Sequence, residues 1–385
     1  VKGQRKNEKG GKRKVQGARG KKKDEGSRRV REVKGHRRAG FGLCLLIGVL
    51  LGVLCACASS SDEWTSREGV ALAREHPVIR IPLEGDITRR SAEISGLAWY
   101  GMDLVLLPQF PARFSFSDDG ALFVLSREDI LAYLAGDRDR PLKPRKVPLV
   151  APGLRNRIAG FEGYEAIAFH EDRVFLTVEA GLGREMMGYL VSGKVADQGK
   201  AIVLDPESLV PIPPKANLEN LSDEALVVSG ERVLTLYEAN GLDVNPDPRA
   251  HVYSIEDGSL STIPFPSLEY RITDATSADG MGRFWVANSF FWGDRGLLRP
   301  RPDPLRSLYG AGPTHALYHS VERLVEYRDY GSRVERTSRP PIQLELVDDL
   351  HPRNWEGVVR LAPHGFLLAA DTYPETMLAF VPEEP

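Results

Sequence analysis

Five short segments of this chain repeat one chemical pattern, an acidic or hydroxyl residue, a small residue, then an apolar residue or, once, a threonine. They are Ser95-Gly96-Leu97, Glu165-Ala166-Ile167, Glu224-Ala225-Leu226, Asp274-Ala275-Thr276 and Glu356-Gly357-Val358. A second polar residue follows each: Gln109, Glu179, Glu238 and Asn288 lie 14 residues downstream, and Asp371 lies 15 downstream. Side-chain oxygens that recur once per repeat can converge on one point. Calcium takes 6–8 oxygen ligands, a demand that Ser95, Glu165, Glu224, Asp274 and Glu356 with added water would meet. Four carboxylates about one axis otherwise repel or hold protons. The alternative to a metal is pairing with backbone amides or with an arginine of a neighbouring repeat. Arg271 and Arg353 each stand three residues before a signature, in position for that role.

The downstream set faces the same end of each repeat, because positions i and i+14 around a central turn lie opposite one another in an antiparallel hairpin. Glu179, Glu238 and Asp371 are candidate bases, and His351 is the one histidine placed to act as acid or base. Arg271, Arg353, Asn240, Asn288 and Trp292 are candidate substrate contacts, the arginines for phosphate. Aromatics with convergent polar groups make a ligand pocket.

Other motifs are incomplete. Gly188–Lys194 copies most of a phosphate-binding loop, but Val195 replaces the Ser/Thr and no helix is expected after it. Asp243–Asp247 begins like a calcium loop, yet Pro248 stands at the glycine position, so it reads as a turn. No G-x-S-x-G elbow occurs. His315 and His319 lie in a segment read as strand-like, where their spacing makes no zinc site.

The elements that must position these residues are short strands broken by Gly, Pro and Asp turns, such as AIAFH, RVFLTVEA, ALVVSG, RVLTLYEA and GFLLAA. Such a series indicates an all-β fold. The internal repeat selects a β-propeller, with five blades preferred and six the alternative. A strand over 78–83 is expected to complete the last blade and close the ring, which leaves no free edge. Ser126–Gly136 is expected to be a short helix with a capping-box start.

The first 40 residues hold 17 Lys/Arg against 4 Asp/Glu and form a basic, disordered n-region, unless the true start lies nearer Val30 or Val33. Residues 41–56 are uncharged and apolar and read as a signal-peptide core. Leu54-Cys55-Ala56-Cys57 resembles a bacterial lipobox with lipid on Cys57, and 57–77 is then a tether to a propeller over 78–385. The alternative is an uncleaved membrane anchor. Both readings place the body outside the cytoplasm. All three cysteines lie in this segment, so the body has no disulfide framework or thiol nucleophile. Without the basic arm, 34 basic and 49 acidic residues remain, a net −15 that argues against nucleic-acid binding.

The segments GYEAIAFHEDRVFLTVEA, LSDEALVVSGERVLTLYEANG, YRITDAT and NWEGVVRLAPHGFLLAADTYPE resemble the bacterial phytase-like propellers, named for an esterase-like activity of phytase. The order Ser, Glu, Glu, Asp, Glu is similar to that of the soluble calcium-activated nucleotidases, five-bladed propellers with calcium in the central tunnel. That likeness implies Ser95, Glu165, Glu224 and Glu356 as calcium ligands, with Asp274 where that family has serine. The expected function is a calcium-dependent phosphoester or ester hydrolase on the ringed face, with a small phosphorylated or ester ligand. The alternatives are a binding module with structural calcium and a scaffold lipoprotein; the chain is expected to be a monomer.

Overall fold

The computed structural model describes residues 73–115, 119–183, 185–216, 218–372 and 375–384. The basic arm, the apolar segment 41–56 and Cys57 lie outside the described residues. Among those described, no helix is long and apolar enough to cross a membrane.

Among the described residues the strands fall into four sheets that contain five antiparallel inner hairpins, each the start of a unit. Unit one is Ile94–Tyr100, Asp103–Pro108, Gly120–Ser126 and Arg145–Val150. Unit two is Phe161–His170, Arg173–Leu182 and Glu185–Ala196, with Val210–Ile212 and Ala201–Leu204 both beside Glu185–Ala196 and Ala201–Leu204 also pairing in parallel with Arg145–Val150 of unit one. Unit three is Asp223–Ser229, Arg232–Tyr237, Arg249–Ser254 and Leu260–Pro264. Unit four begins with Arg271–Ala275, Arg283–Phe290 and Val321–Asp329, with Ile342–Leu344 outside. Unit five is Trp355–Leu361, Gly365–Ala370 and Met377–Pro382, completed by the N-terminal strand Ile79–Ile81. The first strand of each unit packs on the first strand of the next, and that of unit five returns to unit one. This closed cycle is a β-propeller.

The core explains the closure. Side chains alternate across a strand, so a strand buried on both faces feeds two neighbours. In unit one Leu97 joins an apolar cluster with Leu367 and Phe380 of unit five, while Ala98 joins one with Ile167 and Leu176 of unit two. Further clusters join Phe175 to Leu226, Leu234 to Phe284, and Trp285 to Phe366. Each interface between neighbours therefore has its own buried cluster.

The N-terminal strand pairs Ile79 with Phe380 and Ile81 with Leu378, as expected for ring closure. A second contact, Glu75–His76, runs parallel beside Gln343–Leu344. The helix in unit one is Arg127–Leu134, with the Ser126 hydroxyl accepting the Asp129 amide at 3.0 Å. Gly188–Lys194 lies within a strand, as its lack of a following helix requires. The segment read as strand-like around His315 is instead a short helix, Pro313–Leu317, opened by Pro313. His315 is buried there and bonds Glu75 at 2.8 Å.

Candidate functional site

Each unit's first hairpin carries a β-bulge near the start of the inner strand. Register shifts fall between Ile94 and Gly96, Tyr164 and Ala166, Asp223 and Ala225, Ile272 and Asp274, and Trp355 and Gly357. A bulge inserts one unpaired residue and re-aims side chains. The inserted residues are Ser95, Glu165, Glu224, Thr273 and Glu356. The fourth oxygen-bearing position is thus Thr273, not Asp274, which stands one place later with the small residues Gly96, Ala166, Ala225 and Gly357. The downstream set shifts likewise. The residues before the first three bulges pair with Pro108, Val178 and Tyr237, one before Gln109, Glu179 and Glu238. In unit four Ile272 pairs with Asn288, so Ser289 is the equivalent residue. In unit five Trp355 pairs with Ala370, which keeps Asp371 in the set.

The two hydroxyl positions do the same structural work. Ser95 Oγ donates to Tyr164 O at 2.7 Å, and Thr273 Oγ1 donates to Trp355 O. Each acceptor immediately precedes the bulge glutamate of the next unit. Asp274 reaches the next inner strand, where its Oδ2 accepts the Val358 amide at 2.7 Å, and it also accepts from Leu97 and Ala275 amides. Burial holds its carboxyl well above the usual range despite those bonds.

Glu165, Glu179, Glu224 and Glu238 are buried, and the Glu356 side chain is 12% exposed. Arg271 enters this group. Its Nε bonds Glu238, and Nη2 lies 3.6 Å from Glu224 and 3.5 Å from Glu356. Nη1 meets Asn354 Oδ1 at 3.4 Å. Glu165 accepts from Gln109 at 3.0 Å. Glu179 Oε1, Glu224 Oε2 and Glu238 Oε2 have no hydrogen-bond partner among the described residues. Burial pushes Glu165 and Glu224 well above the usual carboxylate range, reinforced by repulsion from Glu179 and Glu356 respectively. Burial also raises Glu179, with Glu162 adding repulsion, and raises Glu356 against the opposing pull of Arg271, each to about 7. Among the described residues, no group of three or more His, Cys, Asp or Glu side chains stands at metal-holding spacing.

Arg271 also lines a cavity of about 600 Å³ between units four and five. Ser289, Asp294, Asn354, Asp371, His351 and Arg353 share its wall with Phe290, Phe291 and Leu350. Asp371 is bonded by Thr372 and, at 3.4 Å, by Asn354. His351 is exposed and bonds Asp348 at 3.0 Å. Arg353 reaches the wall with its charge already matched, since Nε and Nη2 lie 2.9 and 2.8 Å from Glu322 Oε2. Trp355 bonds the same oxygen at 2.6 Å.

The remaining candidates are placed apart from this wall. Asn288 bridges Glu269 O, Arg271 O and the Arg323 guanidinium. Asn240 bonds Tyr237 O and Asn245 in a buried turn. Trp292 packs on His319, with ring centroids 4.6 Å apart. Ser289, Asn354 and Glu322 carry no short-range sequence pattern: Glu322 and Asn354 follow the long connections after Phe290 and Leu344, and Ser289 is placed by the register shift between Ile272 and Asp274.

No protein-family profile matches the chain, and no curated protein does. Of the resemblance read from the sequence, the β-propeller fold is what is shown. Solved structures resemble it at low identity. One is a glucose dehydrogenase, 12% identical with TM-score 0.39, covering 79% of this chain and 98% of its own. Another is a Bombyx mori GH32 beta-fructofuranosidase in complex with sucrose, 11% identical with TM-score 0.42, covering 77% and 63%. A third is the Cellvibrio cellulosa alpha-L-arabinanase, 10% identical with TM-score 0.40, covering 74% and 90%. At these scores the likeness carries no argument about activity.

Proposed function

We propose that this propeller is an extracytoplasmic, lipid-anchored hydrolase of small phosphoesters or esters, working in the cavity between units four and five. The observation that carries this is a charge imbalance beneath the cavity. Glu224, Glu238 and Glu356 surround one guanidinium, Arg271, with Glu179 within reach of its charge and Glu165 repelled by Glu179 and Glu356, and three of these carboxylate oxygens have no hydrogen-bond partner among the described residues. Buried carboxylates in such excess either hold protons or attract a cation.

Calcium suits oxygen-only donors, and Glu165, Glu224 and Glu356 would hold it. Their present spacing means that they would have to draw together, with Arg271 Nη2 moving aside. When bound, the ion supplies polarisation of a phosphoryl or carbonyl oxygen. Arg271 and Asn354 orient the ester at the cavity wall. Asp371 takes the proton from attacking water, and His351 returns one to the leaving oxygen. Arg353 holds the wall through Glu322. The membrane tie is lipid on Cys57.

The second reading is a non-catalytic ligand-binding propeller. The ion pairs of Arg271 with Glu224, Glu238 and Glu356 favour it, because they neutralise part of the ring without metal. Thermal unfolding in EDTA, then with calcium or magnesium, separates the two, since binding to the native state alone raises the midpoint. A calcium-selective rise lost in Glu165→Gln and Glu356→Gln is expected, followed by turnover in a phosphoester screen that Asp371→Asn abolishes. A calcium rise without turnover supports the binding reading; no response to any divalent ion, on protein shown metal-free by elemental analysis, removes calcium from both.

A further inference from the structure

We infer that the ligand of the cavity between units four and five is amphipathic, with a phosphate-type or ester head at Arg271 and a hydrocarbon chain leaving over Phe291 and Leu350. The inference rests on the hydrolase site proposed above and names its substrate class.

The cavity has two chemically different ends. The inner end holds Arg271, Asn354, Ser289 and Asp371, all hydrogen-bonding groups. The outer end holds Phe291, 45% exposed, and Leu350, 83% exposed. An isolated exposed apolar side chain is ordinary, but large apolar side chains gathered at the rim of a polar cavity mark a ligand or partner surface. The rim continues outward. Trp292, 36% exposed, stacks on His319, and His319 bonds Asp349, the residue before Leu350. Phe291 and Leu350 at the rim are thus carried by two connections, one after Phe290 and one after Leu344, which the Trp292–His319–Asp349 contacts tie together beyond the wall.

The geometry also favours a single molecule over a flat partner. Phe291 and Leu350 border the same cavity as Arg271, so a chain covering them is continuous with a head group in the pocket. A purely polar ligand would leave both side chains in water and gain nothing from them. Arg271 supplies the fixed end: Nε and Nη2 are turned to Glu238, Glu224 and Glu356, and Nη1 lies toward Asn354 at the wall.

The test is calorimetric binding of ethyl, butyl, hexyl and octyl phosphate to the protein in calcium, each below its micelle-forming concentration. Affinity should rise up to about fourfold per CH2 laid on the rim, then level off. Phe291→Ser and Leu350→Ser should flatten that rise and leave ethyl phosphate unchanged within about twofold, because neither side chain reaches the head. Unaltered thermal midpoints of both variants would show that the fold survives. Equal binding of all four phosphates overturns the inference while leaving the cavity reading intact. Binding of none overturns both. Chain-length dependence retained in octanol, without a head group, overturns the role given to Arg271. Flat phosphate binding, together with capture on phosphatidylglycerol vesicles that the two variants abolish, would make the rim a membrane contact instead.

Discussion

Asp274 shows how much one inserted residue changes a side chain's task. Its position belongs to the small residues that let inner strands approach: a Cβ at Gly96 would lie 3.3 Å from Ala166 Cα, and one at Gly357 would lie 2.6 Å from Leu97 Cγ. The carboxyl there spans the gap to the next strand and satisfies the amides of Val358 and Leu97. Buried amides that lose their acceptor cost about 1–3 kcal/mol. Asp274→Ala is therefore expected to destabilise the protein by about 2–3 kcal/mol in a urea titration. Asp274→Asn keeps an accepting oxygen and is expected to cost under about 1 kcal/mol. Neither should alter the calcium response, since Thr273 occupies the bulge. If Asp274→Asn removed that response and left stability intact, Asp274 would have to be returned to the ligand set.

The bulges also explain what could be read from the chain and what could not. Strands, turns, the internal repeat and the closing strand follow from local patterns that need no knowledge of the partner strand. Glu165, Glu224 and Glu356 were visible because a small and an apolar residue follow each, the signature of a strand entering a crowded centre. Thr273 was not, because Asp274 supplied a stronger acidic signal one residue later, and register is decided by pairing rather than by composition. Asn288 stands 14 residues after Asp274, so the same one-residue slip puts it, and not Ser289, in the repeat. The cavity wall was only half legible, since Asn354 and Glu322 arrive through long-range packing, while Arg353 was visible but its neutralising partner was not. The N-terminal clasp was likewise hidden. Strand Glu75–His76 places Glu75 against helix Pro313–Leu317, where burial raises its carboxyl but bonds from His315 and Thr314 hold it down at about 2. Because the folded value lies below the ordinary 4.5, its stabilisation is fully present above that pH and is lost as pH falls toward 2. Glu75→Gln should lower stability at neutral pH by about 2 kcal/mol, and the loss relative to the parent should shrink on acidification. An undiminished difference at low pH would mean that shape, not charge, makes the clasp.

At the scale of the whole molecule, ring closure forces five inner strands to begin around one space, so the acids they carry cannot separate. The ring is held by an apolar cluster at each interface and by the N-terminal strand in unit five. Core burial thus sustains a charge arrangement that is unfavourable by itself, a relation expected where structure serves a site. The consequence is a pH dependence opposite to that of Glu75. Glu179 and Glu356 have folded values near 7, above the ordinary 4.5. Between those limits the folded state binds more protons than the unfolded state, so stability must fall as pH rises through the window. In EDTA the thermal midpoint should therefore decline from about pH 4.5 to about pH 7, and Glu356→Gln should remove part of the decline. Saturating calcium replaces the missing protons with a different positive charge, so it should flatten the decline and add most stability at the alkaline end, where the carboxylates are ionised. A midpoint that rises through this window in EDTA would mean that the acids are already ionised and sufficiently neutralised by Arg271. The ring would then have no unmet charge, and the reason for placing a cation beneath the cavity would be gone.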